Sequence, residues 1–345
     1  MRVAIAAVHV PFINGGATIM RDGLARSLKD RGVKVDCISR PFRFRPAKEI
    51  LRSMDEWEAS DADAFDCGVI DRAICINFPS FYLKHHHKLV WLMHQHRAVY
   101  ELYGTPYGAD STLRESGRLK RVIHRRDTAS LQEAKHVYTI SRRVSDRLRQ
   151  FNAIHSVPLY QPPTHPEHYY CSEQLPYIFA PSRLESLKRQ ELLIRAMRHV
   201  RGSVAVVIAG EGGQRENLER LAIELGVESK VRFLGHVSRE EMIAWYANAL
   251  AVFFGPYDED YGFVTLEAML ASKPVLTCAD SGGPLEFVSD RETGFVCEPD
   301  PDEIASRIDW LCANPRAACD LGRSAKAHYE SLHISWANVV DHLLA

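Results

Sequence analysis

The chain has 345 residues, 46% of them hydrophobic and 25% charged, with a formal net charge of −1. This composition excludes a disordered or fibrous protein, and the length favours two domains. The first apolar run, VAIAAVHV, is too short for a signal or membrane-spanning segment, so we expect a cytoplasmic protein. The 8 cysteines lack C-x-x-C spacing and are expected to be reduced thiols.

Charge is distributed unevenly along the chain. Residues 1–170 hold 26 Lys and Arg against 18 Asp and Glu, a balance of +8, whereas the remainder holds 17 against 26, a balance of −9. A basic half attracts anionic partners such as lipid head groups, a phosphate-bearing acceptor or nucleic acid. Partial cancellation of charge between two domains is the simpler alternative.

The N-terminal half begins with a strand-helix-strand unit. The strand RVAIAAVHV runs into the Gly15-Gly16 pair, a helix is predicted from about Ile19 to Lys29, and VKVDCIS is the next strand. Further strands are predicted at AICINF, KLVWLM, HVYTI and SVPLY. This alternation is typical of a parallel sheet with helices on both faces.

Residues 114–126, RESGRLKRVIHRR, form a basic amphipathic stretch with Leu119, Val122 and Ile123 on one side. Such a stretch is suited to an anionic membrane, which would make the protein peripheral at the inner face of the membrane. An ordinary surface helix with a core-facing stripe is the alternative. Nucleic-acid binding is not expected, because no aromatic residues alternate with the basic residues of this stretch.

Histidines cluster at His85 to His87 and again at His94 and His96. A metal site is not expected at either cluster, because no further Cys, Asp or His group completes a tetrahedral set in the sequence. His94 differs from the others because it follows the predicted strand KLVWLM, at the edge where a ligand is expected.

A proline-rich stretch without periodicity at residues 160–176, YQPPTHPEHYYCSEQLP, predicts a linker, which is placed at residues 163–176. A second alternating series follows, with strands predicted at YIFAPS, VAVVIAG, KVRFLG, LAVFFGP and PVLTCA. We therefore predict an α/β fold of two doubly wound, Rossmann-like domains, residues 1–162 and 177–325, facing each other across a cleft. The ligand is expected between them, at the carboxyl ends of the strands.

Two cations follow the first strand of this series. Arg183 lies at the carboxyl end of YIFAPS and Lys188 at the start of the next helix. A planar guanidinium and an ammonium group beside a helix N-terminus are suited to clamping a diphosphate. A solvated basic loop is the alternative.

The next strand ends in a glycine turn, GEGG, which begins at Gly210. This turn is not G-x-G-x-x-G, and no acidic residue follows at the end of the next strand, so a dinucleotide site is not indicated. A tight turn is the favoured interpretation. Contact with a base from the next loop, at Val237, is a secondary hypothesis.

The stretch DEDYGFVTLEAML places two carboxylates on either side of a helix start. Glu267 lies about one turn into the helix, where its carboxylate could accept hydrogen bonds from both hydroxyls of a ribose. Glu259 precedes the helix. The first-turn amides are expected to be free to hold an anion; they belong to Gly262, Phe263, Val264 and Thr265. Two hydroxyl-accepting carboxylates on either side of a diphosphate site match a nucleotide sugar, which consists of a base, a ribose, two phosphates and a sugar.

Taken together, the Arg183–Lys188 pair, the GEG turn, the FLG strand end, the two glutamates, EAMLASKPV and SGGPLEFV resemble the C-terminal domain of the retaining glycosyltransferases of family 4, which have the GT-B fold. The N-terminal half resembles the family more loosely, through PFINGGATIMRDGLARSLKDRGVKV. SWANVVDHLLA resembles the closing helix, predicted at residues 326–345, that crosses back to the first domain.

This resemblance implies a retaining enzyme that moves a hexosyl-type sugar from a UDP- or GDP-sugar to a glycan, lipid-linked or small-molecule acceptor. It implies polysaccharide biosynthesis and a metal-independent front-side mechanism without a cofactor. The implied catalytic residues are Arg183, Lys188, Glu259 and His94. The implied donor-binding residues are Gly15, Gly16, Gly210, Val237, Tyr261, Gly262, Phe263, Val264, Thr265 and Glu267.

Two positions depart from the family pattern. Arg189 stands where the family usually has glycine, and Thr18 stands where an acid is common. Arg189 either adds a cation or alters the helix start. Because of Thr18, the resemblance does not indicate how the acceptor is bound. The alternative functions are a non-catalytic nucleotide-sugar-binding protein and a GT-B sugar-nucleotide epimerase.

Overall fold

The computed structural model describes residues 1–12 and 15–345. These residues form two compact units: unit 1 comprises residues 1–164 and 334–345, and unit 2 comprises residues 165–333.

Strands and helices alternate along the chain. The strands are β1 (Arg2–His9), β2 (Lys34–Pro41), β3 (Arg72–Cys75), β4 (Lys88–Leu92), β5 (His136–Thr139), β6 (Val157–Pro158), β7 (Tyr177–Pro181), β8 (Ala205–Ala209), β9 (Val231–Gly235), β10 (Ala251–Phe253), β11 (Val275–Cys278) and β12 (Gly294–Cys297). The α-helices are α1 (Gly16–Asp30), α2 (Ala47–Glu58), α3 (Arg114–Gln132), α4 (Arg142–Asn152), α5 (Gln190–Ala196), α6 (Arg215–Glu224), α7 (Arg239–Asn248), α8 (Phe263–Leu270), α9 (Pro301–Ala313), α10 (Pro315–Ser331) and α11 (Trp336–Leu344).

Unit 1 contains a parallel sheet with the strand order β2-β1-β3-β4-β5-β6. Its central strands are buried along nearly their whole length, as in β4, where all residues from Lys88 to Leu92 are buried. Strands covered by helices on both faces read as continuous apolar runs, which is why these segments could be predicted. β2 lies at the sheet edge and is largely exposed.

Unit 2 contains a parallel sheet with the order β12-β11-β10-β7-β8-β9. The chain adds strands on one side of β7 and then returns to add β10 to β12 on the other side. The direction of winding therefore reverses between β7 and β10. In doubly wound sheets, ligands bind outside the carboxyl ends of the strands at this reversal.

Several details differ from the predicted elements. β12 is absent from the predicted strands, because GFVC is short and contains glycine and cysteine; α2 and α4 were not predicted either. The predicted start of the closing helix, residue 326, falls inside the continuous helix α10, and the compact units divide at residue 334 instead. The predicted linker packs on unit 2, since the amide of Ser172 donates to the carbonyl of Ala247 (2.9 Å).

The closing helix α11 packs within unit 1. The guanidinium of Arg72 donates to the carbonyl of Leu343 (2.9 Å), and the Trp336 ring lies against α1 at Gly23. A Cβ at Gly23 would stand 2.2 Å from that ring, so the close approach of α11 to α1 requires glycine.

The basic helix α3 is an ordinary helix of unit 1. Leu119 and Ile123 are buried and Val122 is half-buried, so the apolar stripe of residues 114–126 belongs to the core. This finding favours the core-facing interpretation of the stripe. Across residues 1–12 and 15–345, every helix falls short of the length and apolar character needed to cross a bilayer.

Candidate functional site

Lys188 and Glu259 form an ion pair in unit 2, at the winding reversal. Lys188 ends the short 3-10 turn Ser186–Lys188 after β7, and Glu259 follows β10. The Lys188 Nζ atom donates to Glu259 Oε2 at 2.7 Å, and the side chains keep 15% and 18% of their exposed area. The Nζ atom also lies 5.3 Å from the centroid of the Phe254 ring. The pair is thus shielded from bulk water yet open to a ligand.

Arg183 projects from the same loop as Lys188. Its side chain is exposed, and it makes no ion pair with any residue in the described part of the chain. Its carbonyl accepts a hydrogen bond from Gln190 Nε2 (3.0 Å), which also donates to the Ser182 hydroxyl (2.6 Å). The backbone that carries Arg183 is therefore held by the first residue of α5, while the guanidinium is free to meet an anion.

The N-terminus of α8 opens beside Glu259. Gly262 has φ +94°, and a Cβ there would lie 2.9 Å from Pro284 Cγ, so this helix start requires glycine. One expectation is wrong: the amide of Thr265 is not free, because it donates to the carbonyl of Gly262 (2.9 Å) in a tight first turn. The amides of Gly262, Phe263 and Val264 have no acceptor within the helix and are the ones suited to an anion.

Tyr261, one of the predicted donor-binding residues, has a buried side chain. Its ring is 2% exposed and packs edge-on against Phe263 (centroids 5.0 Å apart) and Phe287 (5.5 Å). Tyr261 therefore anchors the loop in the core and is able to meet a ligand through its backbone alone.

Glu267 faces a polar cluster inside unit 2. The Tyr246 hydroxyl donates to Glu267 Oε2 at 2.8 Å, and the Tyr169 hydroxyl makes a second hydrogen bond to the carboxyl group. Burial raises the pKa of Glu267, while the two hydrogen bonds and the charge of Arg239 oppose the rise. Tyr169 lies in the predicted linker, and no sequence signal pointed to it.

Substituting glutamine for Glu267 is expected to raise KM for a nucleotide sugar by about 10- to 100-fold, the worth of hydrogen bonds to a charged group. The amide nitrogen of glutamine cannot accept hydrogen bonds from ribose hydroxyls, whereas both carboxylate oxygens can. Steady-state kinetics would measure the change.

The Tyr246→Phe variant is the matched control for this prediction, because it leaves the Glu267 carboxylate in place and removes one hydrogen bond that lowers its pKa. The pH below which donor binding weakens should therefore move upward in this variant. An unchanged donor KM in Glu267→Gln would remove Glu267 from the site.

The predicted glycine turn lies at the base of the Arg183 loop. Gly210 has φ +129°, and a Cβ there would stand 2.0 Å from the Ser182 carbonyl oxygen. Glycine is thus needed at Gly210 for close packing of two loops, in agreement with the tight-turn interpretation. Val237 is half-buried and precedes Ser238, the N-cap of α7.

Gly15, Gly16 and His94 belong to unit 1. Gly15 is the N-cap of α1, and its carbonyl accepts from the amide of Thr18 (3.0 Å). A Cβ at Gly15 would meet no atom of the described residues within 4 Å, so packing does not require glycine here. Residues 13 and 14 of the same loop lie outside the described residues.

His94 follows β4 and is half-buried, with its Nδ1 atom 2.7 Å from the Gln95 carbonyl oxygen. A buried polar network lies beneath it. Gln95 Nε2 donates to Asn152 Oδ1 (2.5 Å), Asn152 Nδ2 donates to the Tyr100 hydroxyl (3.3 Å), and that hydroxyl donates to Asp127 (2.7 Å). The network fixes the backbone beside His94.

The histidine run gains a partner that the sequence did not reveal, because Asp63 lies beside His85 and His86. The nitrogens of His85 are nonetheless occupied: Nδ1 accepts from the amide of His87 (3.0 Å), and Nε2 donates to the carbonyl of Ile70 (3.0 Å). His86 Nδ1 lies 2.5 Å from Asp63. A metal ion would have to break these bonds, so the cluster is best described as a hydrogen-bonded turn.

Comparison with known proteins finds relatives that are similar to unit 2. The family model described as "Glycosyl transferases group 1" matches residues 166–328. D-inositol 3-phosphate glycosyltransferase of Mycolicibacterium smegmatis is 32% identical over 167 residues, which cover 47% of this chain and 38% of that protein. Mouse Alpha-1,3/1,6-mannosyltransferase ALG2 is 33% identical over 112 residues, covering 32% of this chain and 27% of that protein. The chain thus spans well under half the length of these relatives.

Solved structures match over the whole chain. Sucrose-phosphate synthase from Thermosynechococcus elongatus matches with a TM-score of 0.79 and 19% identity, covering 99% of this chain and 97% of that one. HepE from Anabaena, solved with UDP-glucose, matches with a TM-score of 0.73 and 17% identity, covering 100% and 98%. These likenesses confirm the α/β architecture of the GT-B class. The family match lies in unit 2, which carries the Lys188–Glu259 pair, and this part of the chain is similar to the group 1 glycosyl transferases.

Proposed function

We propose that the protein is a glycosyltransferase that moves a sugar from a nucleotide-diphosphate sugar to an acceptor, with retention at the anomeric carbon. The observation that carries this proposal is the Lys188–Glu259 pair beside the open amides of α8, at the reversal between β7 and β10. Cations, helix amides and a hydroxyl-accepting carboxylate match the successive parts of such a donor.

The chemistry follows from where negative charge develops. As the bond from the anomeric carbon to the phosphate oxygen breaks, charge grows on the diphosphate, and Lys188, Arg183 and the α8 amides stabilise it. On the same face, the acceptor oxygen bonds to the anomeric carbon, and the leaving phosphate takes the proton of the acceptor hydroxyl. Glu259 is ion-paired with Lys188, so its proposed task is to orient Lys188 and the sugar, not to attack the anomeric carbon.

We propose that transfer needs no metal ion. Lys188 and Arg183 supply the positive charge that a divalent ion would otherwise bring to the diphosphate. In the acidic run, Asp258 and Asp260 are each 8% exposed and Glu259 is neutralised by Lys188. That run therefore presents no exposed pair of carboxylates to a metal-diphosphate complex.

The substrates are proposed by class. A UDP- or GDP-sugar is proposed as the donor, supported by the UDP-glucose in the HepE structure. A glycan, lipid-linked or small-molecule hydroxyl is proposed as the acceptor. The acceptor of the first relative, D-inositol 3-phosphate, supports the small-molecule option.

A thermal-shift screen in EDTA tests this proposal. UDP, GDP, ADP and their sugars would be added to the whole chain, and a ligand at 100 times its Kd should raise the free energy of unfolding by about 2.7 kcal/mol. We expect the nucleotides of one of these three bases to stabilise the protein in the absence of metal ions. Stabilisation that appears only with Mg²⁺ would overturn metal independence, and no stabilisation by any nucleotide would overturn the donor class.

A further inference from the structure

Arg189 follows Lys188 directly and adopts an unusual backbone conformation. Its φ is +50°, in the left-handed region, where glycine is favoured and a long side chain is rare. The residue is nonetheless buried, with 6% of its surface exposed. A buried arginine in a backbone conformation that suits glycine is expected to have a task that offsets this strain.

The guanidinium of Arg189 bridges three strand ends. It belongs to the loop between β7 and α5, and it donates to the carbonyls of Gly255 and Pro256 after β10 (2.9 Å each). It also forms two parallel bonds to the carboxylate of Asp280 after β11, at 2.8 and 2.5 Å. This fork geometry is specific to arginine.

Backbone hydrogen bonds join the same loops. The amide of Tyr257 donates to the carbonyl of Leu187 (2.8 Å), and the amide of Glu259 donates to the carbonyl of Ser281 (2.8 Å). Lys188 directly precedes Arg189, and Glu259 follows Pro256 in the same loop. The backbone that the guanidinium holds therefore carries both Lys188 and Glu259. A shift of the guanidinium would move both partners of the ion pair.

The charge of Arg189 is not available to a donor phosphate, because Asp280 neutralises it. The position is therefore not a third cation of the phosphate site.

We propose that Arg189 is a positioning residue that fixes the Lys188–Glu259 pair by joining the β7–α5 loop to the ends of β10 and β11. The inference rests on the proposed function, since it gives Arg189 a role in the geometry of that site. It also accounts for an arginine at a position where glycine would suit the backbone.

The test is Arg189→Gly, because glycine accepts φ +50° and the substitution removes the guanidinium without adding strain. We expect kcat for sugar transfer to fall by about 10- to 100-fold, as for a small misplacement of a charge-stabilising group, with a smaller change in donor KM. Millimolar guanidinium is expected to restore part of kcat, since it can occupy the vacated position. The Arg189→Lys variant should also have a low kcat, because an ammonium group cannot form the bidentate bond to Asp280.

The matched control is Arg291→Gly. Arg291 also has a positive φ, +62°, but its side chain is 71% exposed. This variant should retain the wild-type kcat.

A second readout does not depend on sugar transfer. The rate at which an amine-reactive reagent labels Lys188, read by peptide mass spectrometry without any donor, should rise several-fold in Arg189→Gly and stay unchanged in Arg291→Gly. Faster labelling in a protein that transfers no sugar would support the positioning role and reject the proposed function. Unchanged labelling together with unchanged kcat per folded molecule would overturn the inference.

Discussion

Replacing Lys188 by alanine is expected to lower kcat/KM for sugar transfer by about 10²- to 10³-fold, the usual cost of removing one preorganised group that stabilises developing charge. Lys188 is the shielded cation of the site, and its ion pair with Glu259 holds it before the donor binds. Its loss removes charge stabilisation from the leaving diphosphate and leaves the Glu259 carboxylate without its partner. Steady-state kinetics with the donor found by thermal shift would measure the loss.

Lys230→Ala is the control for this prediction. Lys230 belongs to the same unit, and its Nζ atom donates to the carbonyl of Val200 (3.4 Å), outside the Lys188 loop. This variant should keep wild-type kcat/KM. If Lys188→Ala kept at least half of the wild-type value, the phosphate site would have to lie elsewhere.

The free energy of unfolding is expected to fall as pH rises from about 4 to 7, in part because of Asp127. This carboxyl group is fully buried in unit 1 and accepts hydrogen bonds from the hydroxyls of Tyr82 and Tyr100. Burial raises its pKa to about 7 from an ordinary value of 3.8. The neutral form is favoured in the folded state, so the stabilisation is complete below the unfolded pKa and is lost as pH rises through the folded pKa.

Asp127→Asn removes this titration. A pKa shift of this size corresponds to about 4 kcal/mol. Between pH 4 and pH 8 the wild type should therefore lose up to that amount of unfolding free energy relative to the variant. Denaturant unfolding at several pH values would measure it. Asp30→Asn, at an exposed position at the end of α1, should leave the wild-type slope unchanged. Parallel curves for Asp127→Asn and wild type would show that Asp127 does not titrate in this range.

Much of the fold could be predicted from the sequence. Apolar runs such as KLVWLM and VAVVIA are the mark of parallel strands covered on both faces, and β4 and β8 lie where those runs stand. The helix α8 and its glycine start were also predictable, because Gly262 interrupts an acidic loop just before an apolar stretch. Segments with weaker patterns, such as β12, were missed.

The site was predictable in its parts but not in its contacts. Arg183, Lys188, Glu259 and Glu267 could be singled out by spacing and charge, yet Lys188 and Glu259 are 71 positions apart and their ion pair depends on the strand order. Tyr169 contacts Glu267 from a stretch that reads as linker, because no local pattern records a long-range hydrogen bond. Likewise, Arg189 looked like a departure from a family pattern until its contacts with Asp280 were known.

The central claim is that the Lys188–Glu259 pair serves sugar transfer from a nucleotide-diphosphate sugar. The most direct measurement is the release of nucleoside diphosphate, and the appearance of glycosylated acceptor, from the donor that stabilises the protein most, in EDTA. We predict release by the wild type and a loss of about 10²- to 10³-fold in Lys188→Ala. Tight donor binding without release, across all acceptors tried, would contradict the claim and identify a nucleotide-sugar-binding protein instead.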